Sequence, residues 1–304
     1  MDERTNPLYC QVLDEWIDEH KLKIMESTAY GYKKALPAMK QYFSLVCIRD
    51  IGTEVLYNYM LYLKTHYSLD KCARLYGKIM RLSFRYAQKM GYITYNPAED
   101  VAIPGRARAE IYPFTELEME KVLKQDGLAW VKQGIVIAYR TGMRLGEIFA
   151  LRWSDINFEE KFIMVQRAQS RANSKVILKT TKTRSGVRRV ELDNHTISYL
   201  YAMMQTANGC PYVFAPPSRA KYSFRVPYNI SKYLRAMCVA AGVAERNFHQ
   251  IRHTHATILM AHGIHPKVVQ ERLGHSSIMI TLDIYSHVTP TIQGAAVEVF
   301  NKIF

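Results

Sequence analysis

With 304 residues, a hydrophobic fraction of 48% and a formal charge of +14, the chain is long enough for two globular domains and too apolar to be disordered. That charge favours a polyanionic partner through counterion release from nucleic acid, although composition alone also allows RNA or an acidic membrane surface. Cysteines stand singly at 10, 47, 72, 210 and 238, the first five residues show no secretory pattern, and no run of about 18 apolar residues occurs, so reduced thiols in a cytoplasmic protein are expected.

In chain order, Leu13, Trp16, Ile17 and His20 or Leu22 at helical spacing predict a first helix over 8–24. Ser27-Thr28 read as the cap of a second over 29–44, and Thr53 as the cap of a third over 54–65. A fourth, over 70–91, carries Lys71, Arg74, Lys78, Arg81, Arg85 and Lys89 three or four apart, hence in one arc, while Cys72, Tyr76, Ile79, Ser83, Tyr86 and Met90 turn elsewhere. Acids are nearly absent from that arc, so no pairs one turn away neutralise it, and the stripe is either solvated surface or a face for phosphate. Asn96-Pro97 ends the helical run, because the residue before proline is pushed out of the α region. Ile103-Pro104-Gly105-Arg106-Ala107-Arg108 reads as a basic linker. The expected organisation is a helical domain over 1–103, a linker over 104–111 and a second domain over 112–304.

Thr115-x-x-Glu118 is a capping box that opens a helix over 116–124, and another helix covers 129–142. Next, Leu145, Ile148, Phe149 and Leu151 anchor a helix on which Arg144 and Glu147 stand three apart, so that Glu147 can orient neighbouring polar groups. Taken alone, such a pair is an ordinary surface ion pair. Runs at 161–166 and 175–179, and the alternation over 187–192 with Val190 and Leu192 against Arg189 and Glu191, predict three short strands. Arg184-Ser185-Gly186 is the expected hairpin turn between the last two, with Thr181-Lys182-Thr183 at its mouth. Nothing in these residues alone separates Lys182 from Lys179 or Arg184. A helix to about 206, an apolar return at 210–214, a basic segment from Arg219 to Arg225 and a helix over 228–241 follow. Lys221 and Arg225 are candidates for contacts to phosphate or base edges, with ordinary loop charge as the alternative.

The last fifth concentrates reactive side chains in an apolar framework. His249 and Arg252 share one helix face, with Ile251, Ile258 and Leu259 on the other. Gly263 and Gly274 divide the stretch into helices near 250–262 and 266–273 and a third that carries Tyr285, with Pro266 in the first turn of the second. A guanidinium fork, imidazoles and a tyrosine can hold a phosphate, move a proton and attack phosphorus without a metal. Histidines 249, 253, 255, 262, 265, 275 and 287 cluster here, but no His-Glu-x-x-His and no companion carboxylates do, so no metal site is assigned. His253, His255 and His262 read as helix-packing or surface groups. Thr289-Pro290 then opens a tail helix with Ile292, Ala295, Ala296, Val299, Phe300 and Ile303 on one face that must be buried.

The string Thr141-Gly142-x-Arg144-x-x-Glu147-x-x-x-Leu151-x-Trp153-x-Asp155-Ile156, the Thr-Lys182-Thr hairpin, His249-x-x-Arg252, Leu-Gly-His275 and Tyr285 resemble, in order and spacing, the signature of the tyrosine recombinase (phage integrase) family. The resemblance implies a mainly α fold with a small β-sheet (α+β), in which an N-terminal helical core-binding domain and a catalytic domain grip opposite sides of double-stranded DNA. It implies that Tyr285 attacks phosphorus to give a 3′-phosphotyrosine, and that Arg144, Arg252 and His275 stabilise the phosphorane. Lys182 would protonate the leaving 5′ oxygen, His249 would assist proton transfer and Glu147 would support the set. On the same grounds Lys71, Arg74, Lys78, Arg81, Arg85, Lys89, Arg106, Arg108, Lys221 and Arg225 are assigned to DNA. No cofactor is implied: the phosphotyrosine retains the bond energy, and no Gly-x-x-x-x-Gly-Lys-[Ser/Thr] loop is present. The implied partners are a recombination site, three further copies of the chain in a synaptic tetramer assembled from free monomers, and accessory DNA-bending or directionality factors. In that tetramer the tail helix would dock on a neighbouring protomer, the alternative being its own domain.

His275 and Tyr285 lie ten residues apart, one more than in Xer-type resolvases, which leans toward integration or excision of a mobile element. Few residues precede the first helix, so no separate arm-binding domain is visible: either the protein has none or this sequence does not include it. A type IB topoisomerase shares the chemistry but would relax supercoils as a monomer. A DNA-binding protein without catalysis would have lost an active residue, and none is missing.

Overall fold

The computed structural model describes residues 6–66, 69–102, 112–172, 175–180 and 186–285. The chain falls into two compact units, one of residues 1–109 with which residues 171–175 are grouped, the other of residues 110–170 and 176–304.

The first unit is helical: α1 (Tyr9–His20), α2 (Glu26–Tyr42), α3 (Thr53–His66) and α4 (Leu69–Lys89). Tyr9, Val12, Leu13, Trp16 and Ile17, three and four apart on α1, bury one face against Tyr32, Met39, Phe43, Leu56, Tyr59, Ile79 and Phe84. The Tyr9 hydroxyl meets Ser83 Oγ at 2.8 Å inside this core, so burial leaves neither group unpaired. α2 begins before the Ser27-Thr28 expected to cap it, because the Met25 carbonyl already accepts from the N–H groups of Thr28 and Ala29. On α4, Tyr76, Ile79, Met80, Ser83, Phe84 and Ala87 are buried while Arg74, Lys78, Arg85 and Lys89 are exposed, and Met90, expected inward, lies exposed past the helix end.

The second unit runs α5 (Glu116–Lys124), α6 (Ala129–Thr141), α7 (Leu145–Ile148), β1 (Ile156–Asn157), β2 (Phe162–Val165), β3 (Arg167–Ala172), β4 (Lys175–Thr180), β5 (Arg188–Glu191), α8 (Asn194–Gln205), α9 (Ile230–Ala240), α10 (Phe248–Ala261), α11 (Pro266–Leu273) and α12 (Ile278–Tyr285). The capping box at Thr115 and Glu118 forms with both reciprocal hydrogen bonds, at 2.8 and 3.1 Å. α10 is the central element and packs on α6, α9, α11 and α12, with Ile135, Ile137, Ala138, Phe149, Leu200, Leu234 and Ile251 in the main core.

Strand pairing departs from the expectation of a hairpin closed by Arg184-Ser185-Gly186. Among the described residues β5 pairs antiparallel with β2, in a sheet ordered β1-β2-β5, whereas β4 pairs with β3. The polar sequence of β3 concealed a strand, and β5 is drawn to β2 by a register that seats Val190 opposite Ile163 in the core. Residues 181–185 and the expected tail helix beyond Thr289 lie outside the described residues. No helix among the described residues is long and apolar enough to cross a membrane.

Candidate active site

Two left-handed glycines shape the site. α6 ends at Gly142, with φ 67°, where an added Cβ would lie 2.5 Å from Leu273 Cδ2 and 2.6 Å from His255 Cδ2, so both conformation and space require glycine. α11 ends at Gly274, also with φ 67°, where Gly274 N–H donates to Glu271 and His275 N–H to Gln270, the paired closure that terminates helices at glycine.

Past Gly142 the helix expected to carry Arg144 and Glu147 and to reach Leu151 is shorter, Leu145–Ile148. Arg144 is instead the N-cap residue of the single-turn α7, and Glu147 Oε2 accepts from its backbone N–H at 2.8 Å. Glu147 Oε1 accepts from Arg144 Nη1 at 2.9 Å, and its buried carboxylate also takes both Nη atoms of Arg188 at 3.0 and 2.8 Å. Burial alone would raise its pKa, but the Arg188 fork, then the backbone and charge of Arg144, hold it below the usual carboxylate range.

The end of α11 explains how three arginines converge. A helix leaves its last carbonyls without partners in the helix. Here three successive ones accept guanidinium donors: Arg272 O from Arg188 Nε at 2.7 Å, Leu273 O from Arg252 Nη2 at 2.7 Å, and Gly274 O from Arg144 Nη2 at 2.8 Å. Arg252, buried on α10, is held further by Gly142 O at 2.8 Å, and no carboxylate touches it among the described residues. Three guanidinium charges thus face one carboxylate. Burial, then the charge of Arg144, presses the Arg252 cation downward in pKa.

The histidines lie within that positive field. Burial and then the Arg252 charge lower His249, and the same causes push His275 down to about 3. His275 Nδ1 meets Thr281 Oγ1 at 2.9 Å, so Nε2 is the ring nitrogen left for a ligand among the described residues. His249 presents its ring edge-to-face to His253, with centroids 4.7 Å apart. His255 is structural, as expected of a helix-packing group. Its Nδ1 faces the Tyr139 carbonyl at 2.8 Å and its Nε2 faces Arg272 Nε at 3.1 Å, an arrangement only the neutral Nδ1–H tautomer satisfies.

α12 packs on α10 and α11 and ends at Tyr285, whose side chain lies outside the described residues, as does Lys182. The structure therefore brings Arg144, Glu147, Arg252, His249 and His275 into one region of the second unit and places the end of a neighbouring helix at Tyr285. The described residues include no group of His, Cys, Asp and Glu able to hold a metal ion. Arg188 escaped the sequence reading, although the alternation carried a signal: if Val190 and Leu192 face inward, so does Arg188, and a buried arginine demands a carboxylate.

The basic residues assigned to DNA are disposed unequally. Arg74 and Lys78 are exposed on α4 without an ion pair among the described residues, and the Lys71 side chain lies outside them. Arg81 is turned to the fold, donating to the carbonyls of Ala98 and Val101 at 3.2 Å each. Arg85 pairs with Glu99 at 3.1 Å and Lys89 with Glu19 at 3.4 Å, so acids distant in sequence supply the neutralisation that local spacing did not. Arg106 and Arg108 lie outside the described residues. In the second unit Lys221 is exposed, while Arg225 donates to Ala215 O at 2.9 Å and stacks over Trp130.

Residues 114–291 match the phage integrase family. A XerC-like tyrosine recombinase of Caldanaerobacter subterraneus subsp. tengcongensis is 31% identical over 77% of this chain and 67% of its own length. The Tn1549 transposon integrase, solved in complex with transposon right end DNA, superposes with a TM-score of 0.83 at 22% identity, covering 96% of this chain and 98% of that one. The lambda integrase tetramer bound to a Holliday junction gives a TM-score of 0.69 at 19% identity, over 90% of this chain and 76% of that one. These likenesses carry the mainly helical fold with its small sheet, as the sequence motifs led one to expect.

Proposed function

The chain belongs to the phage integrase family of tyrosine recombinases, DNA strand transferases that act at specific sites, and from that premise we propose how its own residues do so and on what DNA. The observation that carries the reading is the placing of Arg144 and Arg252, with Arg188 beside them, on the end of α11 with Glu147 as the one opposing carboxylate among the described residues, an arrangement suited to one phosphodiester. Arg144 and Arg252 bind the non-bridging oxygens of the scissile phosphate, and His275 Nε2 donates to the phosphorane. The Tyr285 oxygen attacks phosphorus and the bond to the 5′ oxygen breaks, leaving a 3′-phosphotyrosine; His249 assists in removing the tyrosine proton, and Lys182 delivers one to the departing oxygen. Attack by the 5′ hydroxyl of another strand reverses these steps, so no external energy source is consumed.

The first unit serves as a core-type DNA-binding domain through Lys71, Arg74 and Lys78, with Arg106 and Arg108 in a linker over 104–111 and Lys221 on the second unit. Four copies on two duplexes make the synapse, where the tail helix docks on a neighbour. The DNA is a mobile-element end joined to or released from a chromosome in the bacterial nucleoid, a reading supported by the likeness to a transposon integrase. The XerC-like relative favours a second reading, resolution of joined chromosomes. Suicide half-sites cut from either flank of the gene test the first: covalent adducts on flanking DNA support it, and adducts only on a chromosome-dimer site favour the second.

A further inference from the structure

We infer that Arg188 is a positioning residue for the phosphate-binding pair: it fixes Arg144 through Glu147 without itself meeting DNA. The inference rests on the assignment of Arg144 above. Three features of the geometry separate Arg188 from an ordinary core ion pair.

First, each of its three nitrogens already donates within the protein. Nη1 and Nη2 hold the two oxygens of Glu147 at 3.0 and 2.8 Å, and Nε holds Arg272 O at 2.7 Å. Its side chain is only 7% exposed, and the guanidinium edge formed by Nη1 and Nη2 is turned onto the carboxylate. Second, Glu147 is shared. Each oxygen that accepts from Arg188 also accepts from Arg144, Oε1 from Nη1 and Oε2 from the backbone N–H. The position of the carboxylate therefore sets both the Arg144 backbone and its side chain, and the bidentate fork from β5 is what prevents that carboxylate from rotating. Third, Arg188 and Arg144 are tied to the same helix end, at Arg272 O and Gly274 O, with Arg252 between them at Leu273 O. The spacing of three consecutive peptide carbonyls is thereby copied into the spacing of three guanidinium groups. Arg188, the outer member on the β5 side, and Arg252 in the middle are both buried, whereas Arg144, at the other end, has a side chain 41% exposed.

A division of labour follows. Arg188 also offsets most of the Glu147 charge, so Arg144 keeps its cation for the ligand while still being oriented by the carboxylate. Lysine could not do this, because a point charge cannot span both oxygens and the carbonyl together.

The test is a double-mutant cycle on the full chain, reading the rate of covalent adduct formation on a suicide half-site together with half-site affinity. Arg188→Met is expected to slow adduct formation by about 10- to 100-fold while affinity stays within about threefold, and Arg188→Lys to recover little of the rate. In an Arg144→Ala background the same Arg188→Met change is expected to slow the rate by less than about twofold, since the group it positions is gone. Equal slowing in both backgrounds, or a wild-type rate for Arg188→Met, overturns the inference. Because Arg188→Met leaves the Glu147 charge under-paired, Arg188→Met/Glu147→Gln is measured beside it; a melting temperature near wild type with the rate loss retained supports the role, while a normal rate in that folded variant overturns it. Unfolding of both variants also overturns it, for Arg188 would then serve the core alone. A failure of the active-site assignment is distinguishable, because Arg144→Ala by itself would then leave the adduct rate unchanged.

Discussion

Two sets of basic residues in this chain obey different physics. On α4, Arg74 and Lys78 extend into solvent, and where the helix approaches other elements its cations are taken up singly, Arg85 by Glu99, Lys89 by Glu19 and Arg81 by two backbone carbonyls. At the end of α11, Arg144, Arg188 and Arg252 are gathered on adjacent carbonyls with a single carboxylate among them in the described residues. Water and salt screen the first set, so on the proposed role its contribution to a bound duplex would be affinity that fades with ionic strength. Burial costs the second set some of its preference for the charged form but shields its field from water and salt, which makes it suited to stabilising a transition state. Net charge, the property most easily read from the sequence, does not distinguish them; their partners do.

The sharpest break of that comparison is chemical. Tyr285→Phe is expected to abolish the covalent adduct while leaving half-site affinity within about threefold, because phosphate contacts supply the binding and the hydroxyl supplies the bond. An adduct of undiminished yield in a denaturing gel would remove Tyr285 from the mechanism. Next in size, Arg252→Ala and Arg144→Ala should each slow adduct formation by about 10²- to 10³-fold with a much smaller change in affinity. If either acted mainly on affinity, it would belong with the α4 set.

Much of this was legible beforehand, for identifiable reasons. The helices of the first unit follow from apolar spacing such as Tyr9, Val12, Leu13, Trp16 and Ile17, and the Thr115 box from a local pair of side chains, both properties of a few consecutive residues. Motif alone singles out Arg144, Arg252 and His275 as candidates, yet what the Leu-Gly-His order does appears only in space: Gly274 closes α11 so that its last carbonyls face the arginines. The polar strand β3, the pairing of β5 with β2, the role of Arg188 and the capture of Arg85 by Glu99 all depend on which distant segment arrives alongside, and periodicity carries no information about that.

A smaller effect tests how far the buried field reaches. His253 and His255 are each pushed down to about 4, burial being the first cause, followed by the neighbouring cations and His249. A base whose folded pKa lies below its unfolded value near 6.5 binds more protons when unfolded, so its penalty is absent above that pH and grows as pH falls toward 4. The melting temperature should therefore drop steadily across that window. His255→Gln, which can still accept from Arg272 and donate to Tyr139 O, should flatten the slope by an amount on the order of 1–3 kcal/mol over the window. A slope unaltered in that variant would mean that His255 takes up its proton without opening the structure.

The finest distinction lies within α4. Arg74→Ala/Lys78→Ala removes two cations that have no ion-pair partner among the described residues, so the slope of log affinity against log salt should shrink by about one unit for every phosphate they neutralise. Arg85→Ala/Lys89→Ala removes two that are already paired with Glu99 and Glu19, and these must first give up a carboxylate to reach DNA; a smaller change in slope is expected. Arg81→Ala should move the melting temperature and not the salt slope, because its guanidinium secures Ala98 and Val101. The measurement is half-site affinity from low to moderate salt for the three variants side by side. Equal slopes for the two double variants would mean that DNA strips Glu99 and Glu19 of their partners, and that the whole face of α4, including the part the fold has neutralised, belongs to the duplex.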